Sequence, residues 1–247
     1  MPYIWKRIVL WIILAAGVFS LKNAGKAERT FSQIPQYMFR DNFIDPEKPV
    51  AALTFDDGPD PQVTGEILDI LERYGAKATF FVAGENARVN EDIIIRQINA
   101  GCQIGNHSES HPDTEKLTEA EILAEFSEAD RVLKDITGAE AKLIRPPFGK
   151  NEKRVSEITG KPVILWSLDT LDWESQDPDK ICEAVFSQVR DGDIILMHDI
   201  FPSTAEACER IVPGLIKRGY QLVTVSSLME YKGIRLSPGK VYRDGKG

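Results

Sequence analysis

Short apolar runs alternate with stretches of helical periodicity over most of this chain, beginning at Val50. The runs predict buried strands at residues 50–55, 78–82, 142–144, 162–166, 193–197 and 221–225. Between them, apolar residues recur every three or four positions, which is the spacing of one face of a helix. Strands that alternate with helices indicate an α/β protein with a mostly parallel sheet, here of about seven strands.

Several helix boundaries can also be read from the sequence. Thr118 and Glu121 have the spacing of a capping box, and Gly138 follows the end of the apolar pattern that they begin. Pro178 suits the first turn of a later helix. Ser203 stands three residues before a glutamate, so we expect it to cap the helix that precedes the last predicted strand.

The N-terminus differs from the rest of the chain. Within residues 1–29, two basic residues precede an apolar run at 8–19, and three more basic residues follow it. This order is typical of an export signal. The run is shorter than the roughly 20 residues of a spanning helix. We therefore expect a secreted or membrane-anchored protein whose only membrane contact is this segment, with cleavage and retention both open.

The remaining chain divides into a polar lead-in at 30–48, one domain at 49–230 and a polar tail at 231–247. Without residues 1–29 the chain has 25 basic and 37 acidic residues. This acidic balance argues against a nucleic-acid partner, because phosphate binding needs a basic surface. Three widely spaced cysteines allow at most one disulfide, and buried free thiols are the favoured interpretation. We expect a monomer.

All three histidines lie in short motifs that carry chemistry. His107 and His111 are four residues apart, and His198 ends an apolar run. Asp56 and Asp57 adjoin where the first predicted strand breaks at a Gly-Pro pair. Two histidines and a carboxylate suit zinc, which leaves its fourth position open for water at catalytic sites. On one helical turn, imidazoles four residues apart would point the same way.

Five motifs in order resemble the polysaccharide deacetylases of carbohydrate esterase family four. The motifs are Thr54–Pro59, His107–His111, Arg145–Phe148, Asp169–Trp173 and Leu196–His198. Most of their polar residues fall at or just after the carboxyl ends of predicted strands, where the active sites of α/β barrels collect. The resemblance implies a distorted (β/α) barrel with an open active-site groove.

The resemblance also implies a role for each polar residue of the metal side of the site. Asp57, His107 and His111 would bind a divalent metal, most simply Zn²⁺, with Co²⁺ or another divalent ion as the alternative. Asp56 would be the catalytic base. Arg145 would orient Asp56 and keep it ionised, as a neighbouring guanidinium does.

The remaining motif residues would act on the leaving group and the sugar. His198 would be the general acid, and Asp172 would keep its imidazole protonated. The backbone N–H near Phe148 would stabilise the oxyanion. Trp173 would form a groove wall, and Leu196 would form the pocket for the acetyl methyl.

Two positions depart from the family pattern. Phe148 stands where a tyrosine is more frequent, and activity should survive because the implied contact is made by the backbone. The segment between 149 and 166 is short, so we expect a truncated helix there. Trp166 lies inside an apolar run and is interpreted as core.

The function that this resemblance implies is removal of N-acetyl groups from N-acetylglucosamine polymers by an exported, metal-dependent hydrolase. Peptidoglycan is the expected substrate, and chitin-type oligomers come second. Acetylxylan O-esterase activity is the nearest enzymatic alternative. A non-catalytic wall-binding module is the alternative from another class, although binding alone needs no acid–base pair.

Overall fold

The computed structural model describes residues 44–246. The expected export signal and most of the lead-in segment lie outside these residues. The strands in the described part are β1 (Val50–Asp56), β2 (Ala78–Val82), β3 (Gln103–Asn106), β4 (Val163–Ile164), β5 (Leu168–Asp169), β6 (Asp193–His198), β7 (Gln221–Leu222) and β8 (Val241–Tyr242). The α-helices are α1 (Val63–Tyr74), α2 (Gly84–Val89), α3 (Glu91–Asn99), α4 (Glu119–Thr137), α5 (Glu152–Thr159), α6 (Asp172–Ser175), α7 (Pro178–Gln188), α8 (Pro202–Lys217) and α9 (Val225–Tyr231).

The strands form a parallel sheet in the order β3-β2-β1-β6-β5, and β7 pairs with the start of β1. Single bridges join Ile144 to Asn106 of β3 and to Val163 of β4. The segment that holds β4 and β5 therefore contacts the Ile144 segment on one side and β6 on the other. This closes the sheet into a distorted barrel, and the predicted α/β class with mostly parallel strands is confirmed.

The strand β1 shows how the sequence divides the two faces of the sheet. All seven of its residues are buried. Leu53 and Phe55 belong to the large cluster that packs against the surrounding helices. Val50 and Ala52 belong to a second cluster on the other face. The polar positions of the strand continue that second face toward its carboxyl end, where the functional side chains lie. These positions are Thr54 and Asp56.

The predicted capping box at the start of α4 is present. Thr118 accepts a hydrogen bond from the N–H of Glu121, whose carboxylate accepts from the N–H of Thr118. Gly138 ends the helix with φ of 81°, a left-handed conformation that glycine adopts without strain. The buried face of the helix includes Ile122 and Phe126, as its periodicity predicts.

Three expectations about elements were wrong. The run 142–144 forms only the isolated bridges of Ile144. Ser203 does not cap its helix, because α8 begins one residue earlier at Pro202 after Phe201. The segment from His107 to His111 is not a helical turn, since Ser108 and His111 have φ of 71° and 54°.

The C-terminal segment takes part in the fold. Val241–Tyr242 pairs with β4, and the N–H groups of Val163 and Leu165 donate to the carbonyls of Lys240 and Tyr242. The packed domain thus extends past the predicted boundary at residue 230. The expected short helix is α5, with eight residues. All three cysteines are buried free thiols. Within residues 44–246, no helix has the length and apolar character needed to cross a membrane.

Candidate active site

The predicted site residues meet because parallel strands end at the same edge of the barrel. Asp56 at the end of β1 lies opposite His198 at the end of β6. His107 follows β3, and Asp169 ends β5. Arg145 follows the bridge at Ile144. The polar motifs, although far apart in sequence, therefore surround one point at the carboxyl edge of the sheet.

A cluster of three possible metal ligands lies at this edge. Ligand atoms of Asp57, His107 and His111 are all within 4.8 Å of one another. The Oδ1 atom of Asp57 is 3.3 Å from Nε2 of each histidine. That oxygen is buried and makes no hydrogen bond of good geometry. A buried, unpaired carboxylate oxygen beside two imidazole nitrogens fits a divalent cation, and these three residues have the composition of a catalytic zinc site.

The ring of His107 is held in the orientation that such a site needs. Its Nδ1 atom is 2.7 Å from the backbone oxygen of Arg145. A carbonyl oxygen only accepts, so Nδ1 carries a proton and Nε2 is the ring nitrogen that faces Asp57. His107 is 2% exposed, which keeps this arrangement away from competing water.

Side-chain hydrogen bonds hold the loop that carries both histidines. Asn106 donates to the backbone oxygen of Phe126 and accepts from the N–H of Ser108. The hydroxyl oxygen of Ser108 accepts from the N–H of His111 at 3.2 Å. This irregular loop brings the two rings to a centroid separation of 5.0 Å. A turn, and not a helix, therefore brings together these two histidines that are four residues apart.

Asp57 is suited to bind a cation because it stays ionised. Burial raises its pKa, but attraction by the neighbouring His107 imidazole outweighs this, with a smaller contribution from His111. The result is a pKa of about 2. Burial and the adjacent His107 lower the pKa of His111, which favours the neutral imidazole that a metal requires.

Asp56 forms a buried ion pair with Arg145. The Nη1 atom of Arg145 donates to Asp56 Oδ1 at 2.6 Å and to the hydroxyl of Thr54 at 2.9 Å. Its other nitrogens donate to the backbone oxygens of Ile164 and Leu165. The guanidinium is thus fixed by strand carbonyls and fixes one oxygen of Asp56. The other oxygen, Oδ2, lies 3.7 Å from Nε2 of His107, beside the metal ligands.

His198 and Asp172 form a second ionisable pair. Nδ1 of His198 is 2.7 Å from Oδ1 of Asp172, which is fully buried. Asp172 also accepts from the N–H of His198, the hydroxyl of Thr204 and the N–H of Trp173. Burial lowers the pKa of His198, but the hydrogen bond to Asp172 and the nearby carboxylates raise it to about 9. The imidazole therefore carries a proton at neutral pH.

The three candidate metal ligands, the proposed base and the proposed acid line one cavity of about 330 Å³. Phe148 and Trp173 are 59% and 50% exposed at this cavity, as groove walls require, whereas Leu196 is 3% exposed. The full lining is Asp56, Asp57, His107, His111, Phe148, Gly149, Trp166, Asp169, Trp173, Leu196 and His198. Every candidate site residue from the sequence either lines this cavity or, like Arg145 and Asp172, holds a residue that does.

Three residues near the site had no predicted role or a different one. Trp166, interpreted as core, is only partly buried and lines the cavity. Asp169 also lines it, and burial raises the pKa of its carboxyl group. Asp199, next to His198, is 1% exposed, and burial raises its pKa to about 7. The sequence signal for Asp169 and Asp199 was their position within or directly after a motif, whereas Trp166 lies outside the five motifs.

Residues 44–161 match the family model for polysaccharide deacetylase. The chain is 39% identical over 193 residues to the peptidoglycan-N-acetylmuramic acid deacetylase PdaC of Bacillus subtilis (strain 168). It is 38% identical over 193 residues to the peptidoglycan-N-acetylglucosamine deacetylase PgdA of Listeria monocytogenes serotype 1/2a (strain 10403S). Both matches cover 78% of this chain but only 41% of the relative, so the chain spans less than half the length of these two proteins.

The fold is similar to that of a family 4 acetyl xylan esterase from Clostridium thermocellum, which was solved with a cobalt ion. The TM-score is 0.75 at 35% identity, and the match covers 79% of this chain and 98% of that structure. The chain therefore belongs to the polysaccharide deacetylase family, and the distorted barrel is the fold of that family.

Proposed function

We propose that this protein is a divalent-metal-dependent deacetylase that removes N-acetyl groups from N-acetylglucosamine units of a polysaccharide, most directly peptidoglycan. One observation carries the proposal. A metal-type cluster, an adjacent carboxylate and a protonated histidine held by a buried aspartate meet at the same cavity. Amide hydrolysis needs both functions, because a base must activate water and an acid must protonate the leaving nitrogen.

Asp57, His107 and His111 would hold the cation. When bound, the cation polarises the acetyl carbonyl and makes the attacking water more acidic. Zn²⁺ suits these ligands best, and Co²⁺ is the alternative, supported by the cobalt ion in the related esterase structure. The fit rests on the unpaired Oδ1 of Asp57 between two imidazole nitrogens.

The protein's own residues would move the protons. Asp56 accepts the proton of the attacking water, because Arg145 holds one of its oxygens and leaves the other beside the metal ligands. The backbone N–H near Phe148 stabilises the oxyanion. His198 donates its Nε2 proton to the leaving nitrogen, since its Nδ1 is engaged by Asp172. Acetate and a free amine on the sugar are the products.

The chain is similar both to peptidoglycan deacetylases and to an acetyl xylan esterase. The substrate is therefore tested by comparing three acetylated polysaccharides. Residues 44–246 should be incubated with peptidoglycan, N-acetylated chito-oligomers and acetylxylan while released acetate is measured. We expect acetate from peptidoglycan and more slowly from chito-oligomers. Release from acetylxylan alone would make the protein an O-esterase. Binding of peptidoglycan without acetate release from any substrate would make it a wall-binding module.

We also propose that the catalytic domain acts outside the cytoplasmic membrane. The support is the basic and apolar pattern of residues 1–29. Cell fractionation with an antibody to the domain tests this, with a cytoplasmic enzyme as the control. The full-length protein in the cytoplasmic fraction would contradict export.

A further inference from the structure

Asp199 directly follows the proposed general acid in sequence, but it does not line the active-site cavity. It is 1% exposed and lies behind the turn that ends β1. Its Oδ1 atom accepts a hydrogen bond from the N–H of Gly58 at 3.1 Å. Its own backbone N–H donates to the oxygen of Asp56 at 3.3 Å. One residue thus binds the peptide groups on both sides of Asp57.

Thr64 anchors the carboxylate of Asp199 from the other side. The Thr64 hydroxyl donates to Asp199 Oδ2 at 2.6 Å and accepts from the N–H of Asp60 at 2.9 Å. Thr64 is fully buried near the start of α1. The two oxygens of Asp199 therefore connect the first turn of a helix to the Asp56–Gly58 turn.

The contact at Gly58 is too close for any other residue type. A Cβ atom built on Gly58 would lie 2.2 Å from Asp199 Oδ2 and 2.4 Å from its Oδ1. The space is filled by a buried carboxylate and not by the end of a flexible side chain. The carboxylate therefore packs directly against the backbone of the turn.

Asp57 needs such support because its backbone conformation is unusual. Its φ of 76° lies in the left-handed region that residues other than glycine seldom adopt. Its carbonyl accepts from the side chain of Asn86 at 2.8 Å. With the neighbouring peptide groups held by Asp199, this conformation directs Oδ1 of Asp57 toward His107 and His111.

We propose that Asp199, supported by Thr64, is a positioning residue that holds the Asp56–Gly58 turn in the conformation that directs Asp57 to the metal. This inference rests on the metal-dependent function proposed above. Residues that orient metal ligands typically contribute about 10- to 100-fold to metal affinity. Asp199 touches neither the ligand atoms nor the cavity, so its effect acts through the turn.

The test measures Zn²⁺ and Co²⁺ affinity without substrate, by calorimetry or chelator competition, on the domain of residues 44–246. Asp199→Ala removes both side-chain contacts. Asp199→Asn keeps an oxygen that can accept from Gly58. Thr64→Val removes the hydroxyl that donates to Asp199 and also accepts from the N–H of Asp60. Asp193→Ala is the matched control, because Asp193 is 3% exposed at the other end of β6 and accepts from the Ser167 hydroxyl and the Arg190 N–H.

We expect Asp199→Ala to weaken metal binding by about 10- to 100-fold and to lower kcat at saturating metal, with KM little changed. Thr64→Val should lose several-fold, and Asp199→Asn should recover most of the affinity. Asp193→Ala should lower the melting temperature but keep the parent's metal affinity. If Asp199→Ala does not fold, the metal affinities of Thr64→Val and Asp199→Asn test the proposal.

Parent-like metal affinity in a folded Asp199→Ala would overturn the proposal, and so would parent-like affinity in Thr64→Val if the alanine variant fails to fold. Asp199→Asn as weak as Asp199→Ala would also overturn it, because charge and not position would then be the cause. If the parent binds metal and these variants match it, only this inference fails. If the parent binds no divalent metal, the proposed function fails with it.

Discussion

The carboxylate of Asp172 lies against the ring of His198 and favours its protonated form. The carboxylate is fully buried and accepts from the ring, the backbone N–H of His198 and two further donors. This leaves its charge close to the imidazole and shielded from water, where electrostatic attraction is strong. The raised pKa of His198, about 9, follows from this pair together with the nearby carboxylates.

Asp172→Asn should shift the alkaline limb of the pH–rate profile to lower pH. The proposed acid is active while protonated, so the rate falls as the pH rises through the pKa of His198, about 9 in the parent. Loss of a neighbouring charge shifts a pKa by roughly 1–3 units, so the limb should move down by about that amount. Asp179→Asn, at an exposed ion pair, is the control. An unmoved limb would show that Asp172 does not set the protonation of His198.

Phe148→Tyr should keep turnover within several-fold of the parent. The side chain of Phe148 is 59% exposed and packs edge-on against His111, and the proposed oxyanion donor is the backbone. The added hydroxyl therefore leaves the proposed donor in place. Steady-state acetate release measures the effect. A change on the order of 100-fold, the usual scale of losing an oxyanion donor, would implicate the side chain directly.

At the scale of elements, the sequence predicts strands well where they are buried on both faces. The apolar runs at 50–55, 78–82 and 193–197 match β1, β2 and β6 within one residue. The sequence does not predict β3, because its four residues, Gln103–Asn106, form no apolar run. Pro202 begins α8 ahead of Ser203, since proline is preorganised for the first helical turn.

The candidate site, like the strands, could be predicted from the sequence only in part. The ordered motifs predict which residues meet, because each motif follows a strand and parallel strands end together. Residue type alone does not specify the left-handed conformations at Asp57, Ser108 and His111, so the loop geometry could not be predicted. Asp199 was missed for a related reason. Its contacts with Gly58 and Thr64 join segments more than 130 residues apart.

Thr118→Ala should destabilise the domain without changing the chemistry. The substitution removes the side-chain half of the capping box at the start of α4. Loss of such a cap costs about 1 kcal/mol, with an expected range of 0.5–2. Urea unfolding followed by circular dichroism should show a lower midpoint with kcat retained. Thr137→Ala at the other end of α4 is the control, and an equal loss there would argue against the cap as the cause.

At the scale of the whole molecule, the C-terminal segment is linked to the active site through β4. Val241–Tyr242 pairs with Val163–Ile164, and the carbonyls of Ile164 and Leu165 accept from Arg145. Arg145 in turn holds Asp56. The last strand of the described chain therefore supports the proposed base from outside the cavity.

Deletion of residues 237–247 should lower both stability and turnover. The deletion leaves the N–H groups of Val163 and Leu165 without their partners. Each buried unsatisfied group costs about 1–3 kcal/mol, and a shifted β4 would loosen Arg145. Thermal unfolding and acetate release measure the two effects. Lys246→Ala, which removes only a terminal ion pair with Asp193, is the control. Parent-like stability and kcat after deletion would contradict this link.

In the proposed mechanism, metal binding and proton transfer belong to different residues of one site. The most direct measurement is metal content and acetate release, made together on five variants. Asp57→Ala, His107→Ala and His111→Ala should each lose both, because a site with three protein ligands has none to spare.

Asp56→Asn should keep the metal and lose most turnover, because an amide cannot accept the proton of water. His198→Ala should keep the metal and lose about 100- to 10,000-fold in kcat, the usual range for general acid–base catalysis. If Asp56→Asn loses the metal while Asp57→Ala keeps it, the assigned roles are reversed. Full turnover in His198→Ala would show that His198 is not the general acid.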